Sequence, residues 1–372
     1  MAVIGALDSI ELRAITTVPG PVREDLMAKI WDVSKVPLPF QDRIGTGTCE
    51  SNVHEWVADK LGVGADNAWV ENASIPETGT ASGVVDIGNS AIGPYGGVAA
   101  RFRNHCQIAA KVVTVSYRSA AIASAGNTGS LAYQLMMRQR ELKQDMEVTL
   151  CSNLASVVGT LAAAPHLGGI QTWVRAAGLT SPTQAVFQSP DATPSAGGGY
   201  VFATGLTAIY DGTGTPAAIT ETLLRNVCQE VWIGGAEVTT ALCRPGMKRI
   251  ISQYMYTSSA RIAQLTAEVG QAESGTDVAR GAVSIFITDF GVIELVASRF
   301  YPFTTSTTHD SVLVFDPQYL SVDYLQNVTV RDKNAGGLAD RRLMYTDYTL
   351  KVGSEQAIGM VGDLSPTAAM TA

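Results

Sequence analysis

Asp289-Phe290-Gly291 is the most chemically suggestive tripeptide in this chain, because the same three residue types open the magnesium-binding segment of protein kinases. Kinase chemistry also needs a glycine-rich loop, a strand lysine and a catalytic loop, and the sequence has none of them. The plainer reading is a tight turn between two strands, with Gly291 at positive φ. His54-Glu55 starts like a zinc-protease helix, but the second histidine is missing and the surrounding NVHEWVADKL alternates like a strand. Only four histidines occur, His54, His105, His166 and His309, at no metal-like spacing. A Gly-x-Ser-x-Gly elbow, a GxxxxGK[ST] loop and a GxGxxG turn are all absent. Glu71, Glu77 and Asp86 could hold a cation, although a solvated acidic face is the simpler account. A glycosidase pair needs only closeness in space, so sequence leaves it open. Nothing in these patterns points to catalysis, and no catalytic, cofactor-binding or metal-binding residue is assigned.

Among the elements that would position such groups, one stretch dominates. Residues 127–154, NTGSLAYQLMMRQRELKQDMEVTLCSNL, read as a long amphipathic helix in a chain otherwise rich in β-branched residues, glycine and turns. Leu131, Leu135, Leu142, Met146, Leu150 and Leu154 follow steps of four and seven and share one face. Arg138, Arg140, Glu141, Lys143, Asp145 and Glu147 fill the rest of its middle. Thr128 or Ser130 can cap its start, and Lys143 with Glu147 makes a favourable pair one turn apart. At ~1.5 Å per residue the rod would be about 40 Å long. On periodicity alone it is an ordinary core helix.

The rest of the chain favours strands. Residues 21–34 read as a short helix opened by Pro21. Pro37 to Phe40 read as an extended arm rather than a packed element. Residues 52–61 and the segment Val98 to Arg118 read as two extended segments enclosing the glycine-rich stretch 62–97, which makes a long projecting hairpin. A loop of that length in a compact fold is usually functional. Residues 155–216 carry little charge, and 189–199 form a surface loop or linker. A second helix spans 217–234, capped by Thr220 or Thr222 and stopped at Gly234-Gly235, and a third follows at 245–256. Residues 282–300 form two strands meeting at Asp289-Phe290-Gly291, and 311–330 and 341–361 add further strands.

Composition limits the function classes. The 372 residues are 46% hydrophobic and only 16% charged, against roughly 25% charged in an average soluble domain. Mean hydropathy is +0.14. So much apolar surface needs cover, and an obligate oligomer is the simplest way to provide it. The charge-free run Val148 to Val174 is long enough to span a bilayer, but Asn153, Pro165, His166, Gly168, Gly169 and Gln171 interrupt it, so no membrane span is expected. No secretory signal is evident at the N-terminus. Cys49, Cys106, Cys151, Cys228 and Cys243 are odd in number and lack Cys-x-x-Cys spacing, as reduced buried thiols would be. With a net charge of −8 and a pI near 5.1, the chain has no overall pull on nucleic acid. The most basic segment, 331–351, sets Arg331, Lys333, Arg341, Arg342 and Lys351 against Asp332, Asp340 and Asp347, as a salt-bridged interface or solvated edge would.

Four stretches together resemble the major capsid (major head) proteins of tailed bacteriophages, with the Hong Kong 97 fold, in the branch typified by the phage SU-ten head protein. They are PLPFQDRIG followed by NVHEWVADKL, GSLAYQLMMRQRELKQDMEVTLCSN, VSIFITDFGVIELVASRF, and VLVFDPQYL with DRRLMYTDYTLKVGSEQAIGMVGDL. The resemblance implies an α+β fold with an N-terminal arm (1–48), an extended loop with its strands (49–118) and a peripheral domain (119–165) holding a spine helix at 127–154. A mostly axial domain (166–310) and closing strands (311–372) complete it. Leu131, Leu135, Leu142, Met146, Leu150, Trp56 and Gly291 are then the structural residues. The charged face from Arg138 to Glu147 would be free to meet a neighbour or the capsid interior.

The implied function is a non-enzymatic one: self-assembly into pentamers and hexamers of an icosahedral head shell. That shell would enclose double-stranded DNA without sequence-specific binding, and the net negative charge would keep its wall from gripping phosphates. No cofactor and no membrane are expected. Separate scaffolding, portal and decoration proteins are the expected partners, and the virion, assembled in the bacterial host cytoplasm, is the expected location. Some relatives crosslink through a loop lysine; 62–97 has none and Lys60 lies at its base, so crosslinking is not expected. The alternatives are an encapsulin-like nanocompartment shell, an intracellular α/β enzyme, and a β-rich adhesin or tail protein.

Overall fold

The computed structural model describes residues 37–58, 68, 71, 100–121, 131–174, 186–189, 197–257, 284–303, 307–333 and 337–370. The helix read at 21–34, nearly all of the hairpin interior at 62–97 and the cap candidates Thr128 and Ser130 lie outside the described residues.

In chain order come β1 (Gly45–Thr48), β2 (Val53–Ala58), β3 (Ala100–His105), β4 (Gln107–Ser116), the short α1 (Tyr117–Ala121) and the long α2 (Leu131–Leu150). Next are β5 (Val186–Gln188), β6 (Tyr200–Val201), β7 (Leu206–Thr207), α3 (Glu221–Gly234), β8 (Thr240–Cys243) and α4 (Pro245–Thr257). The chain closes with β9 (Ile285–Thr288), β10 (Gly291–Ala297), β11 (Asp310–Phe315), β12 (Leu320–Asp332), β13 (Ala339–Val352) and β14 (Ile358–Leu364). One sheet has the order β1-β12-β13-β4 and another the order β5-β14-β11-β8-β10-β9, while β2-β3 and β6-β7 form separate pairs.

The six-stranded sheet is a wall between two apolar cores. Successive residues of a strand point to opposite faces, and β11 shows the consequence. Leu313 and Phe315 enter one core, while Val312 and Val314 enter the other. Every residue of β11 and of β14 is buried, as happens where both faces of a strand are covered. On one side α3 and α4 cover the wall with Leu224, Val227, Val231, Met247 and Ile251. On the other side Met146 and Leu150 of α2 join Leu320, Val322, Tyr348 and Leu350 of the four-stranded sheet.

Local chemistry sets the element ends. Thr220 Oγ1 accepts the Leu223 N–H at 3.2 Å and caps α3. Gly235 ends that helix at φ 99°, in the left-handed region that glycine enters without strain. Pro245 opens α4, where a missing N–H costs nothing. Asp289 and Phe290 form the two-residue turn between β9 and β10, and Gly291 has φ 144°. The single segment expected from Val98 to Arg118 is broken at Cys106, so that β3 pairs with β2 and β4 pairs with β13. Asn104, fully buried, fixes that break: its Nδ2 donates to Leu350 O at 2.8 Å and its Oδ1 accepts the Gly168 N–H at 2.9 Å.

Two expectations are corrected. Among the described residues the long helix runs Leu131–Leu150, ~30 Å, and it ends before Leu154, which is half exposed; the expected start at 127–130 lies outside the described residues. Leu38, Pro39 and Phe40 are buried rather than extended into solvent. The Phe40 ring meets Phe315 edge-on with centroids 5.5 Å apart. Three apolar residues in a row gain more from this groove than from water. Truncation of Phe315 to alanine would empty the place where the wall and the entering chain meet. Phe315→Ala is expected to cost about 3–5 kcal/mol, read as a lower urea midpoint of unassembled protein.

Candidate functional site

The long helix α2 is buried along one stripe, Leu142, Met146 and Leu150, with Leu131 and Leu135 half-buried nearer its start. Glu147, read from sequence as part of a free charged face, is fully buried. Its Oε1 accepts the Phe40 N–H at 2.9 Å and its Oε2 accepts the Gln41 N–H at 3.1 Å. Gln41 Nε2 donates in turn to the Lys143 carbonyl at 3.0 Å. The expected Lys143–Glu147 pairing therefore gives way to a carboxylate clamp on the chain entering the fold. Desolvation raises the Glu147 pKa, and the two backbone N–H groups only partly offset it. Other charged residues of α2 are engaged within the subunit too. Asp145 pairs with Lys111 of β4 at 2.5 Å, and Arg138 pairs with Glu141 on its own helix.

Trp56 stands in an aromatic cluster at the root of the expected hairpin. It faces Phe102 across the β2–β3 pair, and their stacked rings are 6.4 Å apart. Trp173 lies 5.7 Å from Trp56 and stacks on Tyr200 at 5.4 Å. Sequence reading missed Phe102, Trp173 and Asn104, whose partners come from distant parts of the chain. Beside the cluster, His54 Nε2 lies 2.8 Å from Asp323 Oδ2, while Ser321 Oγ donates to Asp323 Oδ1 at 2.7 Å. Gly47 lies opposite Asp323, and a Cβ there would sit 2.3 Å from Asp323 Oδ1.

The kinase-like tripeptide is a hairpin turn whose Asp289 carboxylate pairs with Arg225 of α3 at 3.0 Å. Among the described residues no group of three or more His, Cys, Asp or Glu is placed to hold a metal ion. Burial raises all five cysteine thiols above their ordinary value. In the basic segment, Arg342 pairs with Asp332 and Asp340, and Arg331 lies over the Tyr345 ring. Among the described residues no helix is long and apolar enough to cross a membrane.

Large apolar side chains are instead left on the outside. Ile287 (72% exposed) lies opposite Val292 on the β9–β10 hairpin, at the edge of the six-stranded sheet. Phe290 in the turn meets Trp232, which is exposed with Ile233 at the end of α3. A second exposed feature is the uncharged hairpin around Leu161. It is bridged from Val157 to His166 and closed by Thr160 N–H to Ala163 O at 2.9 Å.

The profile of the SU10 major capsid protein family matches residues 9–365. The chain belongs to that family. Among solved structures, the capsid of the native GTA particle is similar, with TM-score 0.57 and 10% identity over 97% of this chain and 100% of that one. The cyanophage A-1(L) capsid has TM-score 0.57 and 10% identity over 92% and 97% of the two chains. Mycobacterium phage Bobi gives TM-score 0.52 and 10% identity over 98% and 100%. Among curated proteins nothing matches. The fold of this SU10-family capsid protein is thus a phage capsid fold, and the protein is a virion shell component.

The clamp predicts a signed pH effect. The buried Glu147 carboxyl has its folded pKa above the ordinary 4.5, so its ionisation costs stability at neutral pH and that cost fades as pH falls through the raised value. In Glu147→Gln the carboxamide accepts from only one of the two N–H groups, a loss of about 1–3 kcal/mol. The wild-type advantage over this variant is expected to grow as pH drops from neutral toward 4.5, measured by denaturant midpoints of unassembled protein.

Proposed function

We propose that this chain builds the icosahedral head shell of a tailed phage and that its function is assembly rather than catalysis. Membership of a major capsid protein family over residues 9–365 carries this reading. The low charge and the exposed apolar ridges support it, since surfaces of that kind are stable in water only when other copies cover them. In this reading α2 is the spine of a peripheral domain, and the β2–β3 pair is the root of an extended loop reaching a neighbour. α3, α4 and the strands β5 to β10 belong to a mostly axial domain, and β11 to β14 are closing strands returning to the peripheral domain. Contacts of roughly 2,000 Å² or more between obligate neighbours are expected, repeated by closed rotational symmetry in pentamers and hexamers. The shell encloses double-stranded DNA without a sequence-reading site, and scaffolding, portal and decoration proteins are separate chains.

Electron microscopy of the expressed protein tests the reading directly. Icosahedral shells or capsomers are expected; a small discrete particle would overturn it, and shells filled with a protein cargo rather than DNA in infected cells would favour the encapsulin alternative.

Two substitutions separate folding from assembly. Leu142→Asp places an unpaired charge on the buried stripe and is expected to abolish soluble protein. Ile287→Glu alters an exposed side chain, so the subunit is expected to keep its stability within about 0.5 kcal/mol while the yield of shells, counted by sedimentation, falls sharply.

A further inference from the structure

We infer that Cys49 and Cys106 form a redox clasp, a dithiol that closes to a disulfide when the protein meets a two-electron oxidant such as hydrogen peroxide. Their Sγ atoms are 3.5 Å apart. Cys49 is 6% exposed and Cys106 is fully buried, and all five cysteines are free thiols in the structure. The remaining three lie elsewhere, Cys151 in the core beside α2 and Cys228 and Cys243 in the core beneath α3 and α4.

The position of the pair gives the bond something to do. Cys49 directly follows β1 and Cys106 directly precedes β4, and these strands are the two outer members of the sheet β1-β12-β13-β4. The backbone holds both residues in place: Cys49 N–H donates to Tyr324 O at 3.1 Å and Cys106 N–H donates to Asn52 O at 2.9 Å. A disulfide needs sulfurs about 2.05 Å apart, so the remaining gap is within reach of side-chain rotation. The bond would join the two edges of the sheet across its end. It would also close a loop containing β2, β3 and everything between them, and so restrain the unfolded chain more than a short loop would.

The chemistry balances without any further partner. One thiolate sulfur attacks peroxide and breaks the O–O bond, giving a sulfenic acid and a hydroxide that takes up a proton to become water. The second sulfur attacks the sulfenic sulfur, the S–S bond forms, and the S–OH oxygen leaves as water with the second thiol's proton. The two thiols lose two electrons and two protons, and one peroxide becomes two waters. Burial raises both thiols, and Asp323 and Asp347 raise them further. Thiolate is therefore scarce, and closure is slow on brief exposure and complete only on long exposure.

The test uses the full-length protein, purified in reductant and then divided. One part stays in dithiothreitol; the other is exposed to hydrogen peroxide under native conditions, alkylated in denaturant and digested without reduction. The expected result is a peptide pair linking Cys49 to Cys106, two hydrogens lighter than the reduced pair, with two fewer of the five thiols alkylated. The unfolding temperature of the oxidised sample should exceed that of the reduced one by several degrees, reversibly with dithiothreitol, and the difference should vanish in Cys49→Ser and Cys106→Ser. If a serine variant fails to fold, Cys49→Ala takes its place, and the mass spectrum of wild-type protein decides alone. Five alkylated thiols after prolonged oxidation, or linkage of either cysteine to a different one, would overturn the inference. It rests on the geometry of one subunit and not on what a shell encloses.

Discussion

A buried carboxylate holds the entrance of the chain to the core of the fold. Glu147 lies on the inward side of α2 and accepts two consecutive backbone N–H groups, those of Phe40 and Gln41. Those N–H groups lie ahead of β1, in a tight turn, and without a partner they would be buried and unsatisfied. With them satisfied, Phe40 can seat against Phe315 of the central sheet. β1 then follows immediately into its parallel pairing with β12. One polar contact thus ties the long helix, the six-stranded wall and the edge of the four-stranded sheet. The raised pKa of Glu147 reflects what such a contact costs in a dry place.

The second organising constraint is that the wall has no face exposed to water at its centre. β11 and β14 are buried along their whole length, and their apolar residues are divided between two cores. A sheet covered on both faces leaves only its edges available, and it is at one edge that Ile285, Ile287 and Val292 remain exposed. This arrangement agrees with a shell protein. Exposed apolar side chains also occur away from this edge, at Val112 on β4, Val330 on β12 and Leu161 in its uncharged hairpin.

Much of the element structure was legible in the sequence because its signals are local. The α3 stop came from the Gly234-Gly235 pair and Thr220 was one of two cap candidates, both acting within one turn of backbone, although the helix starts at Glu221 rather than at 217. The turn at Asp289-Phe290-Gly291 was equally readable, since a positive φ next to a two-residue turn selects glycine. The stripe Leu142, Met146 and Leu150 followed from helical periodicity. Readings that failed did so where the deciding partner is far away in sequence. Glu147 looked like a surface residue because its partners lie more than one hundred residues earlier. The segment at Leu38 to Phe40 looked like an arm because prolines favour extended backbone, and only the groove beside α2 makes it a packed turn.

By itself, the sequence determined the broad class: an α+β chain of low charge, without a motif for catalysis, in the order of elements found in phage head proteins. The low charge and the element pattern depend on composition, on periodicity and on turns, which short stretches of chain express regardless of their surroundings. The likeness to phage head proteins rested instead on the resemblance of four stretches. Only the tertiary structure decided which side chains meet. It placed Trp56 beside Trp173, Asn104 between Gly168 and Leu350, and Cys49 against Cys106. The reason is that burial and pairing depend on closeness in space, and closeness between residues separated by tens or hundreds of positions is set by sheet order and packing, which no local pattern carries.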